Sequence, residues 1–213
     1  MSYLDNPQPP NLPYAPPQWS PQYQEQFNNV LRLYFNRLSN VTRFLLGDTG
    51  GQFISNPFGA FYDTTDQVAV STTAAYTVTF NTTSYSDGVS ISSNSRIVAA
   101  QEGVYNIQFS LQLVNTTNDT QDIDVWFRKN GTDIANSNSR FGLAPRKSSG
   151  DPYHVIAALN FIEELLADEY IEIVWKTSDV GAYIEYYAAP SSPTRPAIPS
   201  AILTATFVSS TVG

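Results

Sequence analysis

The stretch Gly103–Asn115, "GVYNIQFSLQLVN", alternates side chains with a period of two. Tyr105, Ile107, Phe109, Leu111 and Leu113 fall on one side, and Asn106, Gln108, Ser110 and Gln112 on the other. Only an extended strand puts such a set on one face, because successive Cβ atoms of a strand point in opposite directions. A second run, "DIDVWFRK", repeats the pattern, with Ile123, Val125 and Phe127 opposite Asp122, Asp124 and Arg128. "AYTVTF", "HVIAALNFI", "YIEIVWK", "AYIEYYAA" and "AILTATFV" are further short runs rich in Val, Ile, Tyr, Phe and Thr. Turn signals such as "SDG", "KNG" and "SSPTRP" separate them, with no helical pattern between. Residues 58–213 therefore read as an all-β, antiparallel sandwich.

Two segments precede it. Residues 1–19 form an arm in which Pro7, Pro9, Pro10, Pro13, Pro16 and Pro17 fix φ and remove backbone donors. That favours extended, polyproline-like geometry. Leu12, Tyr14 and Trp19 give the arm area that a merely solubilising tail would not carry, so it is predicted to anchor the chain to another surface. Residues 20–46 read as a helix with Ser20 as N-cap, Pro21 in the first position and Gly47 as the stop. Phe27, Leu31, Tyr34, Leu38, Val41 and Leu45 recur at alternating spacings of four and three, the seam of a short coiled-coil stalk. An amphipathic helix packed on its own chain explains the same spacing. "GDTGG" opens a linker, residues 47–57.

Strands with large apolar groups on both faces imply a partner, since a sandwich buries one face of each sheet. Trp126 lies opposite Phe127, and Ile184 and Tyr186 opposite Tyr183, Glu185 and Tyr187. Trp126, Ile184 and Tyr186 are thus the expected interface residues of a homo-oligomer.

The chemistry that can be excluded follows from composition. A net charge of −8 with no basic cluster argues against nucleic acid. The chain has no cysteine, and His154 is its one histidine, which leaves neither disulfides nor thiolate metal sites. Charged residues are only 14%, replaced by Ser, Thr and Asn. "MSYLDNPQPP" shows no signal-peptide pattern, and no apolar run approaches a membrane span. The sequons at Asn40, Asn81, Asn115, Asn118 and Asn130 read as Asn/Thr-rich strands and turns. No nucleophile motif accompanies His154. The acid pairs Asp63/Asp66, Asp119/Asp122 and Glu163/Glu164 read as loop or solvent-face residues, and a calcium site from Asp119, Asp122 and Asp124 lacks loop spacing. Neither an enzyme nor a cofactor is expected.

The ordered motifs "GVYNIQFS", "VWFRKNGTDI", "LLADEYIEIVW" and "AILTATFV" resemble the C1q/TNF-like jelly roll. That family shows a Gly-x-Tyr-x-Phe strand, a strand ending in Asn-Gly, a strand opened by Gly-Asp, and a hydrophobic last strand. Here Ile107 replaces the Phe, and Ala167-Asp168-Glu169 replaces the Gly-Asp turn. "GAFYDTTDQVAVSTTAAYTVTFNTTSYSDGVSI" with "SRIV" resembles the version found in structural proteins of tailed bacteriophages. The resemblance implies a jelly-roll head in a homotrimer, with the stalk N-terminal to it. It implies a virion protein on the particle surface, assembled in the host cytoplasm. The expected role is a capsid decoration (cement) or head-fibre protein, with a major capsid protein or another virion protein as partner. The alternative is a tail-fibre tip or receptor-binding head that recognises a host surface glycan.

Overall fold

The computed structural model describes residues 7–46 and 56–210, and the chain divides into two compact units, Met1–Ser55 and Asn56–Gly213. Gly47, the "GDTGG" segment and most of the expected linker lie outside the described residues.

In the first unit, helix α1 spans Pro21–Leu46. Its start follows from local chemistry. The Tyr23 N–H donates to Ser20 Oγ at 3.4 Å and the Gln24 N–H to the Ser20 carbonyl at 3.1 Å, so Ser20 caps the first turn. Pro21 costs nothing there, because a first-turn N–H has no intrahelical acceptor.

The second unit is a sandwich of two antiparallel sheets. Its strands are β1 (Phe58–Asp63), β2 (Tyr76–Thr77), β3 (Thr82–Asp87), β4 (Val89–Ser92), β5 (Arg96–Ala99), β6 (Gly103–Asn115) and β7 (Gln121–Lys129). They continue as β8 (Thr132–Asp133), β9 (Ser139–Leu143), β10 (Tyr153–Leu165), β11 (Tyr170–Thr177), β12 (Ala182–Ile184) and β13 (Ala201–Ser209). Sheet I runs β10-β6-β13-β1-β3, with β12 extending the β13 side of β6. Sheet II runs β4-β5-β11-β7-β8, with β2 on β11 and β9 on β7.

The alternation seen in the sequence becomes the core. Tyr105, Ile107, Phe109, Leu111 and Leu113 of β6 are all buried, as are Ile123, Val125 and Phe127 of β7. Phe127 joins the sheets, stacking on Phe161 at 4.4 Å between centroids and meeting Phe109 edge-on at 5.7 Å. The short strands were less legible. "AYTVTF" forms only two ladder residues in β2, although Val78 and Phe80 are buried and bonded through their N–H groups to Ile173 and Asn94.

Turns carry the conformations their residues suit. Asn130 (φ 48°) and Gly131 (φ 83°) close the β7–β8 hairpin in the left-handed region. Asp168, where the resembled family has a Gly-Asp turn, sits at φ 65°, and Asp tolerates that region better than most side chains. Gly103, first residue of β6, has no room for a side chain. A Cβ there would lie 2.3 Å from the Phe207 ring and 2.9 Å from the Ser209 carbonyl oxygen, while Phe207 packs edge-on against Tyr105. Gly103→Ala should therefore destabilise the second unit by about 1–3 kcal/mol, the usual cost of overpacking. Urea denaturation monitored by circular dichroism measures it, and an unchanged midpoint would show that Phe207 yields freely.

Candidate interaction surfaces

The arm does not extend away from the helix. The Tyr23 hydroxyl donates to the Pro13 carbonyl at 3.3 Å, and Gln8 and Pro10 line a cleft with Val30, Leu33, Tyr34 and Arg37. The arm thus runs antiparallel to α1. Pro7, Pro10 and Pro13 are half-buried while Pro9, Pro16 and Pro17 are exposed. A polyproline helix repeats every three residues, so one prolyl edge meets the helix. The matching helix face is Tyr23, Phe27, Val30 and Tyr34, which are half-buried. The arm, expected to anchor the chain to another surface, thus has one edge already lying on its own helix.

The expected anchor residues point elsewhere. Leu12 is 47% exposed, Trp19 80% and Tyr14 99%, so all three remain available to a partner. Of the seam residues, Phe27, Leu31, Tyr34 and Val41 are half-buried and Leu38 is exposed. The side chain of Leu45 lies outside the described residues. Phe35 (58% exposed) and Leu38 (37%) form with Leu31 an i, i+4, i+7 stripe that the arm leaves uncovered. Leu31 and Leu38 of this stripe belong to the seam, while the seam residue Tyr34 faces the arm.

In the sandwich, the three expected interface residues do not form one patch. Ile184 is fully buried in the core. It cannot meet a partner, because β12 pairs with Leu113–Asn115 of β6 and turns the Ile184 side chain inward. Tyr186, just beyond β12, is half-buried, and its N–H donates to Asp66 Oδ1 at 2.8 Å. Trp126 is half-buried on the outer side of sheet II, whereas β12 belongs to sheet I.

Sequence reasoning missed the outward face of sheet I. There β10 is an edge strand of thirteen residues that, among the described residues, pairs only with β6. Its outward side carries Ile156 (61% exposed), Ala158, Asn160 and Ile162 (58%), and Ile202 (41%) of β13 lies in the row of Ala158. Between them β6 contributes Asn106, Gln108, Ser110 and Gln112. No charge interrupts this field between His154 and Glu163 on β10. Asn106 Oδ1 is inaccessible to solvent and has no hydrogen-bond donor among the described residues. The signal was in the sequence, since "HVIAALNFI" is apolar at both parities.

The ionisable groups make structural arrangements. Arg140 bonds Asp124 bidentately, at 2.8 and 3.1 Å, and lies near Asp122, and these carboxylates hold its pKa above the usual value. Lys129 lies between Glu163 (3.6 Å) and Glu169 (3.1 Å). The Leu166 N–H and Lys129 together hold the Glu169 carboxyl below the usual range. At the start of β10, His154 meets Tyr187, whose hydroxyl donates to Glu185. Burial, then Glu185, push the Tyr187 phenol up. Among the described residues no three acidic, histidine or cysteine side chains are grouped to hold a metal ion. Of the sequons, Asn115 is fully buried: its amide donates to the Asp119 and Ala144 carbonyls and its Oδ1 accepts from Thr117.

If the arm supports the helix, a peptide of residues 7–46 should be more helical than one of residues 20–46. The shorter peptide exposes Tyr23, Phe27, Val30 and Tyr34, and isolated helices are marginal in water. Circular dichroism at equal concentration checks this, and equal helicity would leave the arm without a supporting role. No protein-family model matches the chain, and no curated protein matches it.

Proposed function

We propose that the chain is a virion structural protein of a tailed bacteriophage. In this reading it is a homotrimer whose second unit is a C1q/TNF-like jelly roll and whose first unit attaches it to the particle, as a capsid decoration (cement) or head-fibre protein. The phage origin and the trimer come from the resemblance of residues 58–208. The observation that carries association is the outward face of sheet I.

A long edge strand without proline, bulge or central charge is a template for unwanted pairing unless something covers it. Here the strand also presents Ile156 and Ile162 outward, beside Ile202, over a floor of neutral amides and hydroxyls. Each large apolar side chain that becomes fully buried contributes roughly 1.5–3 kcal/mol. Identical copies meeting around an axis would cover the edge and the face together, and closed symmetry leaves no open site for further growth.

Anchoring belongs to Leu12, Tyr14 and Trp19. The arm lies on α1 through one edge of prolines, so these side chains are presented from a stiff ribbon with little entropy left to lose on docking. A major capsid protein or another virion protein is the partner this reading requires.

Light scattering of the full chain should give three times the 23.5 kDa protomer mass, about 70 kDa. Ile156→Asp with Ile162→Asp should give a folded monomer with an unchanged β-sheet spectrum. A wild-type monomer, or a trimer that survives both substitutions, would remove the face from the proposal. Leu12→Ala, Tyr14→Ala and Trp19→Ala together should leave the mass at three chains but abolish co-sedimentation with particles lacking the protein. Undiminished co-sedimentation would mean that the arm is not the anchor.

A further inference from the structure

On the other sheet, a depression of about 360 Å³ lies between β7, β11 and the loop of residues 134–138. Trp126 forms part of its floor, with Asp133, Ile134, Asn136, Asn138 and Lys176 around it. Its volume is at the small end of ligand sites, which run from about 300 to 1,000 Å³.

The lining is specific in chemistry. Trp126 offers a half-buried indole, a flat apolar surface with a negative π face. Around it are polar groups that the protein leaves free. The side-chain amides of Asn136 and Asn138 are exposed and have no protein partner among the described residues, and Lys176 makes no ion pair there. Among the described residues the Trp126 indole N–H has no hydrogen bond of normal geometry. It nevertheless lies close enough to Asp133 to lead, ahead of Arg128, in holding that carboxyl below its usual range.

The loop that carries the two amides is fixed rather than floppy. Ser137 between them is buried, accepts the Phe127 N–H at 3.0 Å and donates to the Ile134 carbonyl at 2.8 Å. Asn136 takes a left-handed conformation (φ 62°), which turns the chain over the sheet. Charges around the depression balance. Asp133 pairs with Arg128 at 2.8 Å, Arg140 with Asp124 at 2.8 Å and with Asp122 at 3.9 Å, and Lys176 stands opposite Asp124 in the β7–β11 ladder.

We propose that this depression binds a neutral saccharide, one pyranose ring stacking on Trp126 while its hydroxyls bond Asn136, Asn138 and Asp133. The C–H face of a pyranose carries partial positive charge and suits the indole face. Vicinal hydroxyls need both donors and acceptors at close spacing, which amides and a carboxylate supply. The charges immediately around the depression balance, so a charged ligand meets no local excess of the opposite sign. A peptide would need a groove or an exposed strand edge, which this depression does not offer. The inference does not depend on the virion reading, and it gives the receptor-binding alternative a location.

The test uses the full chain with maltotriose, cellotriose and triacetylchitotriose as probes, and sialyllactose as the acidic comparison. Saturation-transfer NMR should show at least one neutral probe bound through its ring C–H protons, and sialyllactose bound more weakly. Trp126→Ala should weaken binding by about tenfold or more, a change worth about 1.4 kcal/mol. Trp126→Phe should stay within about threefold of wild type because it keeps an aromatic face. Asn136→Ala with Asn138→Ala, a surface change, serves as a second variant should the Trp126 substitutions unfold the chain, and it too should weaken binding. Light scattering of Trp126→Ala should show the wild-type mass. No neutral probe bound, tighter binding of sialyllactose, or full binding by both the Trp126→Ala and the double-Asn variants would overturn the site. A drop in mass for Trp126→Ala would instead return Trp126 to a subunit interface, whatever happens at the sheet I face.

Discussion

Strand β6 must exclude water from one side while bonding neighbours along both of its edges, and the second unit is arranged around that double demand. Every residue from Gly103 to Asn115 pairs with β10 on one edge, and β13 followed by β12 takes the other. Its inward side chains are the centre of the core. A strand buried this way has no unsatisfied backbone groups and cannot slip, because a one-residue shift would send Tyr105, Ile107, Phe109, Leu111 and Leu113 into solvent. Its start and end are fixed separately. Gly103 admits the Phe207 ring, and Asn115 ties the last residue to the loops at Asp119 and Ala144.

A chain without cysteine has to hold its long connections by other means, and here buried amides and carboxylates do it. Asp63 is buried, yet its oxygens accept from the Thr65 N–H at 2.8 Å and from the Thr79 hydroxyl at 3.2 Å. Gln67 both donates to the Thr79 carbonyl and accepts the Thr79 N–H, at 3.0 and 2.9 Å, like a section of strand ladder made by a side chain. Glu172, also buried, accepts from Ser95 at 2.8 Å. Such groups add little net stability when satisfied, but leaving any one unpaired costs about 1–3 kcal/mol. They specify one loop arrangement and penalise the alternatives.

The legible part of the sequence was whatever the period of two could express over several residues. β6 and β7 announce themselves by alternation, β10, β11 and β13 by runs of β-branched, aromatic and other apolar residues, and Ser20-Pro21 marks the helix start for local reasons that need no tertiary context. β3 is almost wholly exposed, so its Thr and Ser residues carry no apolar alternation. β12 has three residues, too few for parity to say which side faces inward, and Ile184 was placed outward as a result. The arm shows a different failure. The three-residue recurrence of Pro7, Pro10 and Pro13 was visible, as were the apolar positions on α1, but matching a period of three to one of 3.6 requires knowing that the chain turns back. The seam at Phe27 and Tyr34 was a real apolar face whose partner is in part the same chain. The outward face of sheet I is hard to read because β10, apolar at both parities, does not say which of its two faces the core takes.

The two surfaces of the sandwich lie on opposite sheets, and this decides how the proposals relate. Association through the outward face of sheet I would cover Ile156, Ile162 and Ile202 and leave the outer side of sheet II, with Trp126, facing solvent. A structural role and a sugar-recognising role are then compatible in one molecule rather than competing for one patch. Trimerisation would also change what a weak site can do. Three depressions held at fixed spacing make the second and third encounters with a dense glycan surface intramolecular, so millimolar single-site affinity can become a firm attachment. A shallow, neutral, half-buried site that is too weak to matter on a monomer is what such an assembly can use.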